Sequence, residues 1–507
     1  MTRINTNVQS LIAQRVLGIN NSGLSQSLER LSTGFRINRG KDDPAGLIAS
    51  ENLRADIKSL NQAVSNAERA DQIVNIAEGG LQEVSGLLSE LQGLLNAAAN
   101  TAGLSQEEKE ANQLQVDSIL QTIDRIASAT DFQGVKLLNG NFSYNASSVN
   151  SGVTDFKVNG AKFTSDSYDV DVIITGSAQQ GGLFLSTGAT SLNLGGATSS
   201  FVIEVSGSKG SRELTFASGT SLSDVAAAIN SFTDVTGVQA TASGTGIKIA
   251  SEEYGSSQFA SVKIVDDGGI GTASNIGIYG LSATNTAVAA SAAHDDFSST
   301  TASNGVKDSG LNIAATINGI TATSNGKTIR ATSDLLDVEL TLSTSASQTL
   351  GAVGSRALAI TGGGADFQLG ADVNIGGKVS LGISDVSARK LGNSSLGFLD
   401  DLASGQAFNL VDANDLTSAQ EIVDAAISQV SSARGRLGAF QKNTLGATIR
   451  SLSITSENTQ AAESIIRDSD FAKETAGLTR SQILVASATN VLALANSAPQ
   501  SALQLLG

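Results

Sequence analysis

One histidine, His294, and no cysteine among 507 residues leave few groups with which to do chemistry. Without cysteine there is no disulfide, no thiol nucleophile and no thiolate metal site. A lone histidine rules out an HExxH zinc site and any multi-histidine metal site. His294 stands in the polar run SAAHDDFSST and reads as ordinary surface. The remaining candidates are paired acids: Glu252-Glu253, Asp266-Asp267 and Asp295-Asp296. Such pairs could bind Ca²⁺, but the spacing of an EF-hand loop is missing, and they read as loop charges. No catalytic, cofactor-binding or metal-binding residue is expected.

If the chain does no chemistry, its elements must serve contact. A net charge of −16 and a pI of about 4.6 favour solubility and argue against nucleic acid as a partner. The length implies two to four domains. The first residues lack the apolar core of a secretory signal, since Asn5, Asn7, Gln9, Gln14 and Arg15 interrupt it. No run of 18 apolar residues exists, so no membrane span is expected. Export, if it occurs, must use a route that reads something else.

The last stretch, from Ser481 to Gly507, carries no charged side chain. Leu484, Ala488, Val491 and Ala495 recur at helical spacing, widened by Val485 and Leu492. Exposed, such a helix would be sticky, so it needs a partner. The beginning of the chain fits that role. Ile4, Val8, Leu11, Ile12, Val16 and Ile19 share one helical face; Gly18 and Gly23 interrupt, and Leu24, Leu28, Leu31 and Phe35 start another. Alone, so weakly apolar a segment hardly offsets the cost of ordering it.

After a break at residues 36–46, Asp43 and Pro44 read as the cap and first turn of a helix. Its seam runs Leu53, Ile57, Leu60, Val64, Ala67, Asp71 and Val74, then Leu81, Val84, Leu88, Leu91 and Leu95. The element would be about 55 residues and about 80 Å long, a coiled-coil helix. Ser105 and Glu108 form a capping box for the next helix, whose face is Val116, Leu120, Ile123 and Ala127. From about residue 141 to 400 the chain turns Gly-, Ser- and Thr-rich, with alternating runs such as Phe201–Val205 and Val338–Leu342. Asn-Gly pairs at 159, 304, 318 and 325 read as hairpin turns, and Asp224–Asn230 as a short helix capped by Ser221. Helix returns at about 417 with a seam of Val423, Ala426, Val430, Ala433, Leu437 and Phe440. The fold class is α+β: long terminal coiled-coil helices forming a rod, with one or two mostly β domains inserted between them.

The terminal segments INTNVQSLIAQRVL (4–17), LERLSTGFRINRGKDDPAGLIASENLRADI (28–57) and FQGVKLLNG (132–140) resemble bacterial flagellin. So do SSARGRLGAFQKN (431–443), ESIIRDSDFAKE (463–474), SQILVASATNVLALAN (481–496) and APQSALQLLG (498–507). Residues 363–399 are similar to the flagellin segment that leads back to the helical core. Residues 221–268 resemble a module of flagellin and filament-cap inserts. The resemblance implies a subunit that polymerises into the extracellular flagellar filament for motility, the alternative being the hook–filament junction protein. It implies channel-lining segments at 1–44 and 467–507, rod segments at 45–145 and 401–466, and a surface-exposed insert at 146–400. Implied partners are copies of the chain, the flagellar cap and junction proteins, the type III export apparatus and a C-terminal export chaperone. Export would proceed without a cleaved signal peptide. The residues expected to carry assembly are Ile4, Val8, Leu11, Leu28, Leu31, Leu484, Val491, Leu492, Leu503 and Leu506.

Two departures bear on function. Some flagellin inserts carry a metallopeptidase, and the single histidine excludes its motif here. Flagellins sensed by Toll-like receptor 5 commonly carry LQRxRE in the long helix. The aligned run Leu88–Gly93 places Glu90 where the arginine stands, and a helpful glutamate of the next helix aligns with Gln115. Weak activation of that receptor is the expectation. The abundant Ser and Thr of the insert permit O-glycosylation, and the same composition is normal for exposed β structure.

Overall fold

The computed structural model describes residues 6–504 except 101–102, 104, 164, 197–198, 271–274, 283–293 and 412–415, with the backbone alone at 294 and 498–504. Two compact units emerge. One comprises residues 1–72, 367–378 and 439–507, the other 73–366 and 379–438.

Three helices open the chain: α1 (Val8–Thr33), α2 (Pro44–Ala98) and α3 (Gln106–Ala129). α1 is one helix that passes through Gly18 and Gly23 instead of breaking there. It stops at Gly34, whose left-handed backbone (φ +76°) lets its N–H reach Arg30 O at 2.9 Å. α2 starts as the sequence indicates: Asp43 Oδ1 accepts from Gly46 N–H at 2.9 Å, with Pro44 in the first turn. It runs unbroken for 55 residues. Its buried seam from Leu60 is Ala63, Ala67, Ala70, Val74, Ala77, Leu81, Val84, Leu88, Leu91, Leu95 and Ala98. Asp71 therefore sits beside the seam, and Ala70 takes the inward position. The sequence pattern slipped by one residue here because the inward side chains are small. The capping box of α3 forms, Ser105 Oγ accepting from Glu108 N–H and Glu108 Oε2 accepting from Ser105 N–H.

In the second unit the later part of α2 is tied to α5 (Leu416–Ala439) by Gln92 to Asp424 at 2.8 Å and Arg434 to Glu78 at 2.7 Å. α5 buries Ile422, Val423, Ala426, Val430 and Leu437. Gln113 of α3 holds the returning loop, donating to Leu402 O at 3.0 Å and accepting from Leu410 N–H at 2.7 Å. Asp117, one turn on, accepts from the backbone and hydroxyl of Ser404.

The β part of this unit has two cores, one nested in the other. The outer lobe contains strands β1 (Val153–Ala161), β2 (Val172–Gly176), β6 (Ala314–Ile317) and β7 (Leu336–Leu342). β1 pairs antiparallel with β7, and β2 with β6. Its core includes Val170, Ile317, Ile329, Val338, Leu340 and Ile360. The nested lobe contains β3 (Gly182–Ser186), β4 (Ser200–Gly207) and β5 (Phe259–Asp266), with helix α4 (Leu222–Asn230) capped by Ser221. Alternation along β4 puts Phe201, Ile203 and Val205 into that core and Val202 and Glu204 outward. Chain enters and leaves the nested lobe side by side: Gln179 and Leu311 exchange two backbone hydrogen bonds of 2.9 and 3.0 Å.

The Asn-Gly pairs divide two and two. Asn318-Gly319, both at positive φ, is the tight turn after β6, and Asn325-Gly326 turns between strands Thr323–Asn325 and Thr328–Thr332. Asn304-Gly305 instead ends the short helix Thr300–Asn304, and Asn159-Gly160 lies inside β1. Dipeptide identity signals a permissive backbone, and a helix end or a bulge uses that freedom as well as a hairpin does.

Candidate assembly surfaces

The two ends of the chain meet in the first unit. α7 (Phe471–Gln504) begins at Asp470, whose carboxylate accepts from the N–H groups of Ala472 and Lys473 at 2.9 and 3.1 Å. It lies antiparallel on α1. Asn7 Nδ2 donates to Ala495 O at 2.7 Å, Ser10 Oγ to Asn496 Oδ1 at 2.6 Å, and Asn20 Nδ2 to Leu484 O at 3.3 Å. Gly23 faces Ser481, Gly477 faces Ser27, and Arg30 reaches Glu474 at 3.9 Å.

The seam between these helices is rich in small and polar residues. On α1 the inward positions are Ser10, Ala13, Leu17, Asn20, Leu24, Ser27 and Leu31; on α7 they are Ser481, Val485, Ala488, Leu492 and Ala495. Only Ser10, Ala13, Ser27 and Ala488 among them are fully buried. Many of the large aliphatic side chains stay outside, and Leu17, Leu24, Leu31, Val485 and Leu492 are only half-buried. Val8, Leu11, Ile12, Val16, Ile19 and Leu28 are exposed on α1, Ile19 to 64%. Ile483, Leu484, Val491 and Leu494 are exposed on α7, Leu494 to 72%. Of the ten residues expected to carry assembly, Val8, Leu11, Leu28, Leu484 and Val491 lie exposed, while Leu31 and Leu492 lie half-buried on the seam. Ile4 and Leu506 fall outside the described residues, as does the side chain of Leu503.

The connections into and out of this pair are zipped together. Arg36 N–H donates to Arg467 O at 2.7 Å and Ser469 N–H to Gly34 O at 2.8 Å, an antiparallel bridge centred on Phe35 and Asp468. The Arg467 guanidinium lies 4.8 Å from the Phe35 ring centre and 3.1 Å from Glu51. Phe35 thus belongs to this bridge and not to a helical face. α6 (Gly446–Arg467) continues the unit, with Ser456 bonded to Asn61 at 3.0 Å.

No convergence of three His, Asp or Glu side chains that could hold a metal occurs among the described residues. Two acid pairs serve their own surroundings: Asp266 and Asp267 accept from Gly268 and Gly269 N–H at 2.9 Å, and Glu252 pairs with Lys209 at 3.0 Å. His294 lies in a short strand, Asp295 beside it, and its side chain is outside the described residues. No described helix is long and apolar enough to cross a membrane.

Residues 4–143 match the family model of the bacterial flagellin N-terminal helical region, and residues 420–506 that of the C-terminal helical region. A flagellin of Salmonella rubislaw is 30% identical over 528 aligned residues, spanning 99% of both chains. The chain belongs to the bacterial flagellin family. Flagellin B of Vibrio cholerae is 28% identical over 99% of each chain. A flagellar filament core protein of Treponema maltophilum is 38% identical over 155 residues, 31% of this chain and 53% of its own. Residues 200–253, from β4 through α4 to the strand Gly246–Ser251, match the flagellin hook IN motif. Among solved structures, FliC of Burkholderia pseudomallei aligns at 16% identity over 73% of this chain and 98% of its own, with a TM-score of 0.22. The flagellar cap protein FliD of Escherichia coli aligns at 17% identity over 48% and 64%, with a TM-score of 0.27. This flagellin is a structural subunit of the bacterial flagellar filament, an extracellular organelle of motility. The full-length relatives carry the flagellin name, and the hook–filament junction alternative gains nothing from them.

Proposed function

We propose that copies of this flagellin pack through the aliphatic sides of α1 and α7 that the intrachain seam leaves outside. The observation that carries this is the packing itself: the buried seam positions are Ser10, Ala13, Ser27 and Ala488, while Val8, Leu11, Ile12, Val16, Ile19, Leu28, Ile483, Leu484, Val491 and Leu494 stay exposed. Each such side chain contributes roughly 1.5–3 kcal/mol when fully buried. Val8, Leu11, Ile12 and Ile19 with Leu484, Val491 and Leu494 are therefore enough to decide whether a subunit joins. Non-closing contacts of this kind propagate a helical filament. Residues 1–44 and 467–507 line the channel, 45–145 and 401–466 form the rod, and 146–400 face the medium. Ile4, Leu503 and Leu506 are proposed to take part in the same assembly.

The same exposure defines the partners met before assembly. A C-terminal chaperone covers the uncharged stretch 481–507, the N-terminal region addresses the type III export apparatus without a cleaved signal, and cap and junction proteins meet the subunit at the filament's ends. The chain performs no catalysis. Leu11→Asp and Val491→Asp, made in the full chain, should leave the monomer's melting curve in place and abolish sedimentable polymer. Deletion of 491–507 should abolish polymer while the second unit still folds. Normal filaments of these variants by electron microscopy would refute the proposal. On α2 and α3 the receptor positions Glu90 and Gln115 are both exposed, so the charge reversal at Glu90 is open to a receptor. Reporter cells bearing Toll-like receptor 5 should respond weakly, and full potency would overturn that expectation.

A further inference from the structure

The β1–β7 ladder contains a defect that does work elsewhere. Asp337 pairs with Gly160 and Val338 with Val158, so Asn159 between them has no partner across the ladder. Such a bulge turns a side chain out of the sheet. The Asn159 carbonyl accepts from Gly382 N–H at 2.7 Å, and its side-chain oxygen accepts from Arg436 Nη1, on the last turn of α5. Its amide nitrogen donates to Asp337 Oδ1 at 3.3 Å. Asp337 in turn receives Arg330 through both nitrogens of the guanidinium fork, at 3.1 and 2.9 Å. Arg436 faces Asp337, Glu339 and Arg330, and its burial pulls its pKa below the usual arginine value. A guanidinium withdrawn from water on a single neutral acceptor is costly to hold unless the acceptor is fixed. The bulge, the Gly382 bond and the Asp337–Arg330 fork all fix it.

We infer that Arg436 and the Asn159 bulge form the latch that sets the orientation of the outer β lobe on α5, and that this setting is separable from polymerisation. Arg436 is a positioning residue: it acts on the lobe through Asn159 and lies outside the α1–α7 surfaces. Without the latch the lobe remains folded, because its core of Ile329, Val338, Leu340 and Ile360 does not include it. What is lost is the fixed angle at which the lobe stands, and with it the order of the filament's outer layer.

The test uses the full chain with Arg436→Gln, Arg436→Lys and Asn159→Ala. Amide hydrogen exchange should rise about tenfold at residues 158–161 and 337–339 in Arg436→Gln, with the seam of α2 unchanged. Sedimentable polymer should form at the normal yield, and its cryo-electron microscopy map should keep sharp helices while the β-lobe density weakens. Arg436→Lys keeps the charge and should restore part of the protection. Asn159→Ala removes the acceptor without touching the helix and should reproduce the pattern if Arg436→Gln misfolds. Unchanged exchange in Asn159→Ala, or equal loss of protection along α2 and α5, would overturn the proposal. So would a map in which lobe and helices stay equally sharp.

Discussion

The later half of α2 and the paired helices α1 and α7 use the same heptad spacing to opposite ends. On α2, every inward position from Val74 to Leu95 is fully buried, and Leu81, Leu88 and Leu91 are among the largest such side chains in the chain. On α1 and α7 the inward positions are mostly small or polar, and most of the aliphatic residues face out. One helix is completed within the subunit. The other two leave aliphatic surface exposed in the subunit, the surface proposed above to be covered on assembly. The difference teaches that a hydrophobic repeat states how much apolar surface a helix has, not when in the life of the protein that surface is buried.

Substitutions can break this contrast. Leu88→Ala should destabilise the isolated monomer by about 2–5 kcal/mol, from lost burial and the cavity left behind. Leu484→Ala on α7 should change monomer stability by less than about 0.5 kcal/mol. Chemical denaturation of both monomers measures the pair, and equal losses would erase the distinction. A finer probe lies in the neighbouring glycines of α2. A Cβ on Gly80 would stand 2.7 Å from Leu138 Cδ1 and 2.8 Å from Thr130 Oγ1, whereas one on Gly79 meets nothing within 4 Å. Gly80→Ala should therefore destabilise by about 1–3 kcal/mol despite the better helix former. Gly79→Ala should stabilise by roughly 0.5–1 kcal/mol. Thermal melts of the two should move in opposite directions.

A pH-dependent effect concerns Asp117, which helps complete the second unit. Burial alone would raise its pKa, but the donors Ser404 Oγ, Gln113 Nε2 and Ser404 N–H together hold it below the ordinary carboxylate value. A carboxylate with a depressed folded-state pKa stabilises above its unfolded pKa, and that contribution is lost as pH falls through the folded value. Asp117→Asn should thus cost on the order of 1 kcal/mol at pH 7. It should also flatten the acid limb of the stability profile below the normal carboxylate range, as melts between neutral and acid pH would record.

Local rules carried the sequence far in some places. The Asp43 and Ser105 caps, the length of α2 and the Ser221-capped helix were all legible, because each depends on residues within one turn of each other. The orientation of α1 and α7 was not. Periodicity picks the largest aliphatic residues as the inward face, but this close pair buries Ser10, Ala13, Ser27 and Ala488 instead. The Asp71 slip has the same origin, with Ala63, Ala70 and Ala77 holding the seam. The Asn159-Gly160 pair signals a turn in the sequence because the role of Asn159 depends on Arg436, nearly three hundred residues away. The capping of Asp117 by Ser404 is equally distant and equally silent in the sequence.

The nesting of one lobe inside another also sets a clock. β1 and β2 are made early, yet β7 and β6, their partners, follow only after the whole nested lobe has been synthesised. Long-range pairings of this kind raise contact order and slow folding. The nested lobe can close first on its own local hairpins. The outer lobe and the pairing of α2 with α5 must wait for the far end of the chain. Under the proposed export before folding, the chain would gain from that delay, which is written into the order of its strands.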